Sequence, residues 1–480
     1  MNNETTSTST QPELTLSHLE RVPAWGGANQ SISYVYRPLN IPDLQAIFDL
    51  ARRAGRTLGF RGGGNSYGDA AMNGENILLD LRRFNRILAW DPTTGLITVE
   101  PGVTLQQLWE YILEDGWWPP VVTGTMKTTV GGCAAMNVHG KNAWQMGTIG
   151  DHILSFDLLL PSGEIITCSR DQHADIFHAA ISGMGLLGCF TTLTLQMKRV
   201  YSGNLRVVAL AGPNIEALLN IIDQHADRSD YIVGWVDATA KGKATGRGEI
   251  HIAHYLKPGE DPYPQQTLRL DNHRLPPNLF GIIPKSLMWL LMRPFLNPFF
   301  LTWVNRAKYF MAWRKHGHTY LQSHGAFHFL LDYIPQWKKA YGPSGLIQYQ
   351  IFIPHDQAAS TFRAVFELCQ RRGLPNYLSV LKRHRPDPFL LTHGLDGFSM
   401  AMDFKVTRRN RQRLVNLARE LDALVLAAGG RFYFAKDSTL RPEVARAYLG
   451  PDTLQKFETL RAQCDPNNLL MTDLWRRISP

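Results

Sequence analysis

Three consecutive glycines, Gly62, Gly63 and Gly64, follow the strand-like TLGF and precede an Asn-Ser-Tyr-Gly-Asp turn. Glycine lacks the Cβ that would hold a ligand off the backbone, and it reaches φ > 0 without strain. Successive N–H groups can then converge into a nest for an anion. Such a loop, just beyond a strand, suits a pyrophosphate, although an ordinary glycine-rich turn would have the same composition. A second glycine- and threonine-rich segment, TGTMKTTVGGCAAMNVHGKN at 123–142, tips the comparison toward a ligand site. A third, Gly183-Met-Gly185-Leu-Leu-Gly188, matches the dinucleotide fingerprint G-x-G-x-x-G. That fingerprint needs a strand before it and a helix after it. Here a helix-like DIFHAAIS precedes and a β-branched TTLTLQM follows, so the Rossmann assignment is rejected.

The elements that must position these loops fall into three parts. Residues 20–200 alternate short strands and helices. Pro42 opens a helix whose Leu44, Ile47, Phe48 and Ala51 share a face and which Gly55 ends. Thr104 is the expected N-cap of a helix stopped by Gly116. Residues 201–410 carry strands expected at 231–236, 249–253, 327–332, 346–353 and 398–406, with helices near 214–226 and 357–372. They imply an α+β fold on a large antiparallel sheet flanked by helices. Residues 411–480 begin with an amphipathic helix and continue through GGRFYFAKDS, in which Lys436 lies on a strand-like FYFAK.

At 480 residues, the chain has room for two or three domains. Its formal charge of +9 favours phosphates, anionic lipid or nucleic acid. Without a compact Lys/Arg run interleaved with aromatics, nucleic acid is the least favoured. Five scattered cysteines offer neither an even pairing nor a zinc spacing, so no metal is expected and buried thiols in a reducing compartment are the default. Residues 1–19 are expected to be a disordered, unprocessed tail. Residues 278–303, NLFGIIPKSLMWLLMRPFLNPFFLTW, are the most hydrophobic stretch, broken by Pro284, Pro294 and Pro298. They fit either a buried helix pair or a lipid-touching surface patch flanked by Lys285, Arg293 and Arg306.

RGGGNSYGD, TVGG, HGKN and Gly183–Gly188, in that order, resemble the PCMH-type FAD-binding domain of the vanillyl-alcohol oxidase superfamily. IQYQIFIP at 347–354, MDF at 402–404, GGRFYFAKDS at 429–438 and the ending CDPNNLLMTDLWRR extend the likeness to the branch that oxidises polyprenyl-phosphoryl pentoses. The resemblance implies a two-subdomain FAD domain at 20–200, a substrate domain at 201–410 and a C-terminal part, 411–480, that completes the site. Flavin contacts then fall on Phe60, Arg61, Gly62, Gly63, Gly64, Asn65, Ser66, Tyr67, Gly68, Asp69 and Ala70. They continue through Gly124, Thr129, Val130, Gly131, Gly132, Met136, Asn137, Val138 and His139, with Cys189 and Tyr433. Lys436 is implied as the catalytic lysine with His139 beside the ring, and Tyr67, Lys141, Gln348, Gln350 and Lys382 as substrate contacts. Ala401 stands where some members of that branch carry a cysteine, which removes a thiol from the pocket wall.

The activity so implied is oxidation of a secondary 2′-hydroxyl of a lipid-linked pentose phosphate to the keto sugar, toward arabinose-type envelope glycans. An NAD(P)H-dependent keto-sugar reductase would be the partner, at the cytoplasmic face of the cell membrane. Such chemistry needs a base near the carbinol and positive charge near the reducing flavin. Lys436, with a pKa lowered by desolvation, is one candidate base, and a surface lysine paired with Asp437 is the alternative. His139 is the rival, and it would give an ascending pH limb near about pH 6–7. Aldonolactone or alditol oxidation, and a non-catalytic flavin-binding role at a membrane, are the other functions considered. Lactone oxidases usually show His-Trp-Gly/Ala-Lys, where this chain has Tyr433-Phe434-Ala435-Lys436.

Many superfamily members tether flavin through a histidine at the position of Asn65, whose amide offers no nucleophilic nitrogen. The protein is therefore expected to purify yellow and to release FAD into the supernatant on acid precipitation. Flavin fluorescence retained on the denatured gel band would contradict this.

Overall fold

The computed structural model describes residues 13–279 and 283–479. Of the tail expected to be disordered over 1–19, residues 1–12 lie outside the described residues. Leu16–His18 instead form a short helical turn and Leu19 opens the first strand, because His18 hydrogen-bonds Val35 O and stacks on Tyr36. Two larger sheets, with a two-stranded pairing of Trp117–Trp118 and Lys198–Arg199, form the N-terminal half of the described residues. A four-stranded one runs in the order Leu19–Pro23, Gln30–Tyr36, Ile77–Asp80, Leu58–Arg61. Its last two pairings are parallel, so the chain returns through the helix Ile41–Arg53. Asn40 caps that helix by accepting from Asp43 N–H at 2.8 Å, Pro42 sits in its first turn, and Gly55 turns the chain out at φ +59°. The five-stranded antiparallel sheet runs Ile87–Asp91, Leu96–Val99, Cys189–Gln196, Ile153–Leu159, Ile165–Ser169. Thr104 and Gln107 form a capping box at the start of Leu105–Ile112. The helix Ala174–Ala180 precedes Gly183–Gly188 and a strand follows, the reverse of a Rossmann order.

The second half is built on an eight-stranded antiparallel sheet. Its order is Thr319–Ser323, Asn204–Gly212, Gly248–Tyr255, Tyr231–Val236, Leu378–His384, Gly397–Lys405, Leu346–Pro354, Arg431–Phe432. Alternation along Leu346–Pro354 divides its faces. Tyr349 turns toward the helix Arg411–Ala427, where its hydroxyl donates to Asp422, whereas Gln348 and Gln350 face a cavity. The strand expected at 327–332 is instead the short helix His324–His328 followed by a turn. Phe327 and Phe329 there pack as isolated core anchors and do not alternate along a strand.

The proline-broken segment is not a buried pair. Pro284 and Pro298 flank two helical stretches, Lys285–Phe295 and Pro298–Arg314, bent 115° to each other, and no single helix among the described residues is long and apolar enough to cross a membrane. Leu287, Leu290, Leu291, Phe295, Phe299 and Trp303 are all exposed, as are Phe310 and Trp313 further along. Leu301, Asn305 and Ala312 are the buried residues that hold the longer helix down, and Lys308 stacks on Trp235. Lys285, expected among the basic flank, is instead buried with its ammonium 3.3 Å from the Tyr333 ring centroid.

The C-terminal helix Asp473–Ile478 ties the parts together. Arg477 donates to both oxygens of Asp69, at 2.9 and 2.8 Å, and to Asp437 at 2.8 Å. Asp69 ends the glycine-loop turn and Asp437 follows Lys436. Burial alone would lower the Arg477 pKa, but Asp437 and Asp69 outweigh it and hold the guanidinium firmly charged. Arg477→Ala would leave two carboxylates facing each other, and it is expected to destabilise the protein by about 3 kcal/mol. Arg477→Lys should recover only part of this, since an ammonium cannot bridge both groups in a fork. Urea unfolding of the two variants checks it.

Candidate active site

A cavity of about 790 Å³ lies between the glycine loop and the open face of the eight-stranded sheet. Gly62, Gly63 and Gly64 line it because nothing larger fits. A Cβ on Gly62 would stand 2.1 Å from Thr129 Oγ1, and one on Gly63 2.4 Å from Lys127 O. Gly64 has φ +64°. Among the described residues, the backbone N–H groups of Gly63, Gly64, Asn65 and Ser66 find no protein acceptor, as an anion nest requires. These residues therefore fit the pyrophosphate of an FAD.

Phe60, Asn65, Ser66, Tyr67 and Ala70 also line the cavity, with Gly124, Thr129, Gly131, Gly132, Met136, Val138, His139, Cys189 and Tyr433. Five of the expected flavin contacts do not. Arg61 lies against Gly64 and donates to Ala71 O and Pro23 O. Gly68 packs where a Cβ would stand 1.7 Å from Asp437 O, and Asp69 is held by Arg477. Val130 N–H donates to Val103 O, and the Asn137 side-chain Oδ1 accepts from Gly150 N–H.

Lys436 is not on a strand. Strand Arg431–Phe432 ends early, and residues 434–436 turn so that Tyr67 N–H donates to Ala435 O at 2.9 Å. The turn places the Lys436 ammonium 3.9 Å from the Tyr67 ring centroid, inside the cavity. Asp437 is bound to Arg477 instead, which removes the surface-pair alternative. Desolvation lowers Lys436 to about 7, with Asp403 opposing. Burial raises Asp403 to about 7, opposed by a hydrogen bond from Gln348 and by Lys436. Each charge favours the other, so the two titrate as a coupled pair.

Lys141 and Lys382 also reach this end, lowered by desolvation to about 7 and about 8. His139 is held on both ring nitrogens, 3.0 Å from Gln350 Nε2 and 3.5 Å from Lys382 Nζ. Burial, together with Lys382, His384, His393 and Lys436, pushes its pKa well below the usual imidazole value. A limb near neutral pH therefore fits Lys436, Lys141 or Asp403, and the rival His139 would titrate lower.

Sequence reasoning missed Asp403, His384 and His393. Asp403 is directly opposite Gln348 in the sheet, and a lone carboxylate in the apolar run SMAMDF was the available signal. His384 Nε2 lies 2.7 Å from Ser399 Oγ, and the His393 ring centroid 4.3 Å from that of Tyr433. Neither has a spacing that marks it. The five cysteines are all buried and unpaired, and no group of three or more His, Cys, Asp or Glu among the described residues could hold a metal.

Residues 32–169 match the FAD binding domain family. The chain is 30% identical over 473 residues to decaprenylphosphoryl-β-D-ribose oxidase of Mycolicibacterium smegmatis, covering 96% of this chain and 97% of that one. It is 29% identical over 216 residues to D-arabinono-1,4-lactone oxidase of Yarrowia lipolytica, covering 44% and 40% of the two chains. With L-gulonolactone oxidase of Mus musculus it shares 25% identity over 197 residues, covering 41% and 43%. Fold and site define an FAD-dependent oxidoreductase with a PCMH-type FAD-binding domain, of a class that oxidises sugars. Within that class, the chain belongs to the family of decaprenylphosphoryl-β-D-ribose oxidase.

Lys436→Met keeps most of the apolar stem and removes the amine. It is expected to retain FAD and to lose flavin reduction by about 10²–10⁴-fold. In the wild type, the reduction rate should rise with pH through about 7, because the neutral amine is the base and forms above its pKa. Stopped-flow absorbance over a pH series measures both, and a variant reduced at the wild-type rate refutes the role.

Proposed function

We propose that this chain oxidises the 2′-hydroxyl of a polyprenyl-phosphoryl pentose to the ketone, with FAD held non-covalently. One observation carries this reading: three lysines, Lys141, Lys382 and Lys436, converge on one end of the cavity around His139, Gln348 and Gln350. A sugar attached to a phosphate brings the anion that such a cluster needs, and a neutral lactone brings none. FAD, when bound, supplies the hydride acceptor. Lys436 Nζ takes the hydroxyl proton while Gln348 and Gln350 orient the sugar. Lys141 and Lys382 neutralise the phosphate, and His139, kept uncharged, adds no further positive charge beside them. Lactone oxidases remain the second reading, but the two compared above match less than half of the chain. A keto product of this kind would be consumed by an NAD(P)H-dependent reductase.

The exposed apolar side chains from Leu287 to Trp313 support peripheral contact with the inner face of the membrane. Arg293, Arg306 and Arg314 lie among them and would meet anionic headgroups. A lipid-linked substrate would then be drawn directly from the bilayer.

Both parts are tested by anaerobic mixing with polyprenyl-phosphoryl-ribose, offered in detergent or in anionic vesicles. The wild type should bleach its flavin absorbance in both. A variant with Leu290, Phe299 and Trp303 changed to serine should keep the detergent reaction and slow at least several-fold with vesicles. No bleaching in either medium refutes the substrate. Equal rates for variant and wild type in vesicles refute the membrane contact.

A further inference from the structure

Beyond the glycine loop and the lysine cluster, the cavity lining continues along one row of the sheet. Gln350 stands directly opposite Ala401, Ala401 opposite Val380, Val380 opposite Trp235, and Trp235 opposite Glu249. All five line the cavity. Four strand spacings of about 4.8 Å carry this lane roughly 19 Å from the sugar end. Its middle is low, because Ala401 and Val380 are small, and Val233 and Leu378 extend the same apolar floor.

Beyond Trp235 the lane passes beneath the helix Pro298–Arg314. Lys308 of that helix lies over the Trp235 ring, 4.0 Å from its centroid. A second cavity of about 360 Å³ begins there and shares Glu249, His251, Lys308 and Tyr320 with the first. It continues past Ala209 to Met311, Lys315 and His318. Met311 is exposed beside Phe310 and Trp313, so the outlet opens on the apolar helix face.

Charge gives the lane a direction. Lys141, Lys382 and Lys436 cluster at the flavin end with Asp403 beside them, whereas at the far end Glu249, 3.1 Å from His251, offsets one of Lys308 and Lys315 and opposes an anion. An anionic head is favoured at the first end and an uncharged chain at the second. Trp235 and the stem of Lys308 present ring and hydrocarbon there.

Resting on the substrate class proposed above, we infer that this lane holds the prenyl chain, which runs across the sheet over Ala401, Val380 and Trp235. The chain leaves beneath the helix Pro298–Arg314 on the side that faces lipid. The other mouth, at Leu330, Leu331 and Ile334, is the competing exit.

Two measurements decide between them. Farnesyl phosphate carrying a terminal diazirine is photolysed with the wild-type holoprotein, and labelled peptides are mapped. Labelling within 231–236, 248–255 or 307–312 is expected. Labelling confined to 330–334, or none, overturns the lane. Val380→Phe narrows its middle, so kcat/KM for farnesyl- over dimethylallyl-phosphoryl-ribose should fall by about tenfold or more. An unchanged ratio also overturns it. If neither substrate bleaches the wild-type flavin, the substrate class itself is wrong, an outcome distinct from mislabelling.

Discussion

The ion pairs of Arg477 are the constraint on which the site depends. One guanidinium holds the end of the glycine-loop turn at Asp69 and the residue after Lys436 at Asp437. Those segments also touch through backbone, Tyr67 to Ala435, and Gly68 leaves no room for a side chain between them. The nest that fits a pyrophosphate and the amine that faces the cavity are thus fixed against each other by one fork-shaped group. Lysine could not span them, and a hydrophobic replacement would leave two carboxylates close together without a counter-charge.

Around that joint, the electrostatics are set by what is withheld from water. Three lysines share the flavin end of the cavity, and the facing sheet supplies one buried carboxyl, Asp403. Each amine is lowered by desolvation, so the cluster arrives at neutral pH only partly charged. The site can therefore offer a proton acceptor and bind an anion with residues of one type. His139 stays neutral among them because any charge on it would add to theirs. This economy of types leaves the middle of the lane to Ala401, Val380, Val233 and Leu378, which suit a hydrocarbon.

Much of the architecture was legible because it rests on local rules. The Asn40 and Thr104 caps, the reversed order around Gly183–Gly188, and the strands at 231–236 and 346–353 follow from caps, glycine and alternation. Residues 327–332 misled because two aromatics two positions apart mimic a strand, while each here fills a separate core site. Lys436 misled similarly, since Tyr433, Phe434 and Ala435 are apolar through burial in a turn. Asp403 could not be assigned a role until register set it opposite Gln348. The apolar segment was ambiguous in principle, because composition alone does not distinguish a core helix from one facing another solvent.

The strand Leu58–Arg61 that launches the glycine loop is closed on its free side by residues near the far end of the chain. Leu58 donates to Leu469 O and accepts from Met471 N–H, and Asp473 binds the Gly74 N–H. Arg477 reaches Asp69 across a separation of 408 residues. During synthesis, the loop emerges long before the segments that hold it in shape. Until the chain beyond Leu469 is made, the strand edge that launches the loop is open and Asp69 lacks its counter-charge, so the loop acquires its native support only at the end of translation.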